Sequence, residues 1–134
     1  EAGVVSIFVS RLLEKRPLTI FGDGTQTRDY VFVRDVARAN LLAGTGPLAP
    51  ARVHGAPAFN IATSKETTVL ELADTVGRVM GVEPVLEFAP ARPGELLRSA
   101  LDVGKAAALL GWKPEFTFET GLPQLIDWFK KENA

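Results

Sequence analysis

A chain of 134 residues with 46% hydrophobic and 23% charged side chains has the size and balance of a single folded domain, which excludes a disordered or low-complexity chain. With 15 basic against 16 acidic residues the net charge is −1, so nothing draws the whole molecule toward nucleic acid or an anionic membrane, and any anion must be met by local groups. Cysteine is absent, which excludes a disulfide scaffold, a thiolate metal centre and a Cys nucleophile, and agrees with a reducing cytoplasm.

From Gly3 to Lys15 the apolar residues Val4, Ile7, Phe8 and Leu12 recur at helical spacing, and Pro17 ends the pattern. Leu18 to Phe21 is a short strand candidate. The turn Gly22-Asp23-Gly24 closes it, because glycine supplies the positive φ that such a turn demands. Thr25 to Arg28 is predicted as a loop and Asp29 to Val33 as a second strand. A helix over Arg34 to Ala43 follows, with Asp35 placed as its N-terminal cap or first-turn carboxylate.

Gly44 to Pro57 holds three glycines, three prolines and His54, a composition that turns and connects. Ala58 to Ala62 is predicted as a strand. Thr68 with Glu71 forms a capping box for a helix that runs to about Met80 and is closed by Gly81. Val85 to Phe88 is a strand, Ala89 to Ser99 a loop, Val103 to Leu110 a helix ended by Gly111, and Glu119 to Lys131 a last helix with Pro123 near its first turn. Helices alternate with short strands and no repeat intervenes, so the fold class is α/β. No apolar run reaches the roughly 20 residues that span a bilayer, and no signal peptide opens the chain, which reads as cytoplasmic. The apolar helical pattern starts almost at Glu1, so the chain is expected to begin in mid-fold.

Several chemistries lack their residues. His54 is the sole histidine, and the carboxylates show no metal-ligand spacing; capping roles suit Asp35 and Asp102 better. Gly44-Thr45-Gly46 imitates a dinucleotide-binding turn, yet it follows a helix where that turn needs a strand, and Pro47 interrupts it. Arg28, Arg34 and Arg38 alternate with apolar residues and form no nucleic-acid patch. Two arginines stand out: Arg28, after the glycine turn, and Arg92, in the loop from Pro90 to Glu95, where Pro93 restricts it. A guanidinium fork fits two phosphate oxygens at once and stays charged. Two readings stand at this level: a phosphate clamp, or pairing with Asp29, Glu95 or carbonyls.

The run LTIFGDGTQTRDYVFVRDVARA from Leu18 to Ala39 resembles extended short-chain dehydrogenase/reductases that act on nucleotide sugars, with UDP-glucose 4-epimerases nearest in pattern. The runs FNIA from Phe59, RPGE from Arg92, ALDVGKA from Ala100, LGWKP from Leu110 and ETGL from Glu119 follow in that family's order. The resemblance spans the whole chain and only the C-terminal part of the family. It implies that residues 1–134 are the nucleotide-sugar-binding portion, without the N-terminal NAD-binding Rossmann domain, its glycine-rich phosphate loop and its Tyr-x-x-x-Lys pair. Tyr30 is the sole tyrosine and Arg34, not lysine, stands four residues on, so no catalytic residue is expected here and Tyr30 is expected to be structural.

In the family, NAD takes a hydride from the sugar and returns it to the opposite face, a task in which the cofactor supplies the redox chemistry. By resemblance, Arg28 and Arg92 clasp the diphosphate of a UDP-sugar and Glu95 accepts hydrogen bonds from ribose hydroxyls. Thr19 and Phe21 present backbone groups to the uracil edge, and Gly3 and Val4 begin a helix whose amides can face phosphate. Asn60 and Lys105 match as structural positions. A 4,6-dehydratase, a decarboxylase or an inert binding module would share these features. The helix Arg34 to Ala43 and the strand Ala58 to Ala62 are expected to return to the Rossmann-like lobe, leaving apolar surface through which the isolated chain could associate.

Overall fold

The computed structural model describes residues 3–46 and 58–132. His54 and most of the predicted connection, residues 47–57, lie outside the described residues. The elements in chain order are α1 (Val4–Leu13), β1 (Leu18–Phe21), β2 (Thr27–Arg28), α2 (Val33–Thr45), β3 (Thr67–Thr68), α3 (Val69–Met80), β4 (Leu86–Ala89), α4 (Gly104–Leu110) and α5 (Phe118–Glu132). The architecture is α/β, built on a parallel pair.

β1 and β4 pair in parallel with Leu18 opposite Leu86 and Phe21 opposite Ala89. Parallel neighbours need a long crossover, here the whole stretch from β2 through α3. Helices α1 and α3 pack on this pair, α5 packs on those two helices, and together they bury Phe8, Val9, Leu12, Leu18, Ile20, Leu72, Val76, Leu122 and Ile126 in one core. A smaller core of Ala39, Ala106 and Trp112 joins α2 to α4, with Phe59 and Ile61 packed against it.

The capping box of α3 is present in full: Thr68 accepts from the Glu71 amide and the Glu71 carboxylate accepts from the Thr68 amide, while Gly81 closes the helix in the left-handed region. Thr117 and Thr120 cap α5 in the same spirit, each hydroxyl accepting the other's amide at 2.9 and 3.2 Å. Gly24 turns the chain after β1 at φ +76°, and a Cβ there would lie 2.7 Å from the Leu70 side chain.

Three expectations need correction and a fourth, on Asp35, is narrowed. The second strand is Thr27–Arg28, antiparallel to Thr67–Thr68, and not Asp29 to Val33. Asp29 instead turns its carboxylate to the amide and hydroxyl of Thr63, at 2.8 and 2.5 Å, which holds the chain off the ladder. Ala58 to Ala62 forms no strand, because a strand needs a neighbour to complete its ladder and none pairs with it among the described residues. The N-cap of α2 is Phe32, and of the two placements expected for Asp35 the first-turn carboxylate is the one observed. Only 1% exposed, its carboxylate accepts the amides of Glu115 and Phe116 at 3.0 Å and ion-pairs with Arg38, while its carbonyl accepts the Trp112 indole N–H at 2.9 Å. Asp35 thus fastens α2 to the segment entering α5. Finally, α5 begins at Phe118, so Pro123 lies inside the helix, beyond its first turn.

Gly24→Ala is expected to destabilise the fold by about 2 kcal/mol or more, combining left-handed strain with a clash against Leu70. Urea unfolding of the two proteins measures it; equal midpoints would refute the assignment of this turn.

Candidate functional site

A cleft of about 280 Å³ opens between α1, the outer edge of β1, β2 and the loop after β4; its lining includes Val4, Arg11, Thr19, Phe21, Arg28, Arg92 and Glu95. Of the seven residues singled out in the sequence, all but Gly3 line it. Gly3 sits one residue outside, as the N-cap of α1, with no side chain capping the helix.

The register explains why β1 supplies backbone groups here. Leu18 and Gly22 donate their amides to Val85 and Ala89 of the β4 side at 2.8 and 2.9 Å. In a parallel pair a residue's N–H and C=O point to the same side and alternate along the strand, so Leu18 and Ile20 face β4 while Thr19 and Phe21 face the open edge. The buried Gln26 amide reaches back to the Phe21 carbonyl at 3.0 Å and pins the strand's end.

Each guanidinium is oriented differently. Arg28 donates to the carbonyls of Thr27 and Leu96 at 2.7 and 2.8 Å and meets the half-buried Glu95 at 3.5 Å. Arg92 lies 3.9 Å above the ring of Phe21, a cation–π contact that fixes its plane and leaves its N–H groups to the cleft. Arg11 donates to the Pro17 carbonyl and the Thr19 hydroxyl at 3.0 and 3.2 Å. The pairing alternative is therefore met by Arg28 alone; Arg92 is placed by an aromatic face.

Arg11 escaped the sequence reading, although a signal existed. Val4, Ile7, Phe8 and Arg11 recur at three- and four-residue spacing, so a lone arginine sits on an otherwise apolar helix face. Tyr30 also lines the cleft, packs on Phe118 at 5.5 Å and has a buried hydroxyl without a hydrogen-bond partner. Burial raises its pKa and the nearby Arg28 only partly opposes that. Tyr30 is a neutral phenol at neutral pH, not a tyrosinate base.

The loop carrying Arg92 and Glu95 is tied down at its far end. Arg98 grips Glu66 with Nε and Nη2 at 2.6 to 2.8 Å, and Thr27 donates its hydroxyl to the same carboxylate at 2.6 Å. The Arg98 hydrogen bonds, and next the Thr27 hydroxyl, bring the Glu66 carboxyl down to about 2 from its ordinary 4.5.

Among known sequences, the family described as NAD dependent epimerase/dehydratase matches residues 1–62. The UDP-glucose 4-epimerase of Mycolicibacterium smegmatis is 41% identical over 99% of this chain and 41% of its own length. The UDP-glucuronic acid decarboxylase 4 of Arabidopsis thaliana is 36% identical over 96% of this chain and 27% of its own. Among solved structures, the UDP-glucose 4-epimerase of Thermotoga maritima with UDP-glucose superposes with a TM-score of 0.85 at 41% identity, covering 100% of this chain and 41% of that one. The chain thus spans well under half the length of the relatives it matches.

Because a group whose carboxyl is lowered on folding adds stability above its unfolded pKa and loses it as pH falls through the folded one, Glu66 contributes fully above about pH 4.5 and progressively less toward pH 2. Glu66→Gln is expected to flatten this part of the stability–pH curve. Equal slopes for wild type and variant in acid-range denaturation would contradict the contact.

Proposed function

We propose that the chain belongs to the NAD dependent epimerase/dehydratase family that matches residues 1–62, and that within it these residues are the nucleotide-sugar-binding portion of an enzyme interconverting UDP-glucose and UDP-galactose. The observation that carries this reading is the meeting of Arg28, Arg92, Glu95, Thr19, Phe21 and Val4 in one cleft.

Three guanidinium groups, Arg11, Arg28 and Arg92, face a single lining carboxylate, Glu95, so the cleft favours an anion. Arg28 and Arg92 are the proposed clasp on the diphosphate, each able to give charge-assisted hydrogen bonds. Glu95 engages Arg28 through Oε1, and Oε2 is the acceptor proposed for the ribose hydroxyls. The open-edge groups of Thr19 and the Phe21 amide suit a base edge, since a strand holds its donors and acceptors in fixed positions, whereas the Phe21 carbonyl is taken by Gln26. Val4 brings the start of α1, with its unpaired first-turn amides, to the same cleft. Tyr30 offers a neutral hydroxyl beside Arg28.

NAD is the cofactor that the family implies, and the described residues do not fit it. Among the described residues, Gly44-Thr45-Gly46 ends α2, where a Cβ on Gly46 would lie 2.7 Å from the Leu42 carbonyl, and Gly22-Asp23-Gly24 turns against Leu70, which a Cβ on Gly24 would meet at 2.7 Å, so neither glycine pair leaves a cradle for a pyrophosphate. We assign no hydride step to these residues. NAD belongs, in this proposal, to another part of the parent enzyme, which meets the exposed apolar side chains Val33 and Leu41 of α2 and Leu109 of α4. The decarboxylase relative favours a second reading, in which the same nucleotide cleft serves a UDP-glucuronic acid decarboxylase.

Titration calorimetry of the 134-residue chain with UDP, dTDP and GDP tests the proposal. UDP is expected to bind, and Arg92→Ala to weaken it about 10- to 150-fold, the effect of losing a charge-assisted bond of about 1.5 to 3 kcal/mol. Equal affinities would remove Arg92 from the site. Incubated with UDP-glucose and NAD, the chain is expected to give no UDP-galactose, because its sole tyrosine lacks the partner lysine and is held neutral; measured turnover would refute that assignment.

A further inference from the structure

We propose that Glu66 and Arg98 act as a latch that positions the Arg92–Glu95 loop over the cleft, a role that rests on the reading of the cleft as a nucleotide site.

The loop has little else to hold it. Between Pro90 and Arg98 every residue but Glu95 is exposed, and its two large apolar side chains, Leu96 and Leu97, are 66% and 79% exposed. Apart from Arg92 over the Phe21 ring, no apolar packing sets its position, so polar ties must. They gather at its C-terminal end. Leu96 offers its carbonyl to Arg28 at 2.8 Å, Leu97 offers its carbonyl to the Thr27 amide at 2.9 Å, and Arg98 forks onto Glu66. All three converge on the two-residue strand β2 or on the residue leading into its partner, β3.

Glu66 is the joint. One of its oxygens takes the Thr27 hydroxyl at 2.6 Å while both take the Arg98 guanidinium, so a single carboxylate binds β2 and the loop together. Arg28, the other proposed phosphate ligand, is the residue after Thr27. The latch therefore fixes the spacing between Arg28 on the strand and Arg92 on the loop. An isolated surface ion pair contributes little, but a bidentate fork within a network of three groups is the case in which geometry is held. Glu66 is 26% exposed in its side chain, which limits competition from water, whereas Arg98 is 80% exposed and removable without opening the core. Neither side chain lines the cleft. Both are positioning residues, acting through Arg28, Arg92 and Glu95.

Hydrogen exchange of the loop and UDP affinity, measured on the same 134-residue chain, test this. Glu66→Gln and Arg98→Gln are each expected to speed exchange of the loop amides about tenfold, to leave α3 amides unchanged and to weaken UDP about tenfold. Arg98→Lys keeps the charge without the fork and is expected to fall between. On an Arg92→Ala background, Glu66→Gln is expected to lose most of its effect on UDP, because the loop no longer carries that phosphate contact. Unchanged loop exchange, or faster exchange with wild-type affinity, overturns the latch; so does weaker binding accompanied by equally faster exchange throughout α3, the mark of a general stability loss. If Glu66→Gln does not fold, the exposed Arg98 variants decide by the same criteria. If wild type fails to bind UDP, the nucleotide reading falls, and loop exchange alone then supports or overturns the latch.

Discussion

Parallel pairing of β1 with β4 sets Phe21 against Ala89, and everything in the cleft follows from that register. It turns the amide and carbonyl groups of Thr19 and Phe21 outward, toward α1 and β2, because alternation along a parallel strand leaves the odd-numbered residues on the open edge. It also ends β4 beside the ring of Phe21, so the loop that leaves β4 passes Arg92 over that ring. A slip of one residue would exchange the paired and open edges and swing Thr19 and Phe21 into the core. Burial of Leu18 and Ile20 under α1 and α3 prevents it.

The charges in the cleft are arranged to stay available. Arg11 is held by a carbonyl and a hydroxyl and Arg92 by an aromatic face, all neutral partners, so their orientation is fixed while their charge is not cancelled. Arg28 alone meets a carboxylate, at 3.5 Å. By contrast, the shortest ion pair, between Arg98 and Glu66, lies outside the cleft and works on the chain rather than on an anion. With neutral supports on two of the three cleft arginines and the tightest of these ion pairs placed outside, the cleft keeps a positive charge.

The helix boundaries were the most legible part of the chain. Thr68, Glu71 and Gly81 specify α3 through contacts within a few residues, and Gly22, Gly24 and Gly111 fulfil the positive φ that their turns demand. The site was partly legible: the two arginines, Glu95 and the β1 residues came from motif resemblance, and their convergence needed coordinates. Arg11 was hidden because only its place on a helix face distinguishes it from a solvated arginine. The first-turn place of Asp35 was legible, but its partners, the amides of Glu115 and Phe116, were not, because they lie far away in sequence.

What the residues determine by themselves is local: helices from apolar spacing and caps, turns from glycine, charge availability from arginine, and the absence of a tyrosine–lysine pair. Tertiary structure alone decided that residues from α1, β1, β2 and the loop after β4 share one cleft, that β2 is two residues long, and that Ala58 to Ala62 is not a strand. The physical reason is that ladders, clefts and ion-pair networks join groups distant along the chain. Their energies depend on which neighbour is present, and composition and spacing do not specify that neighbour.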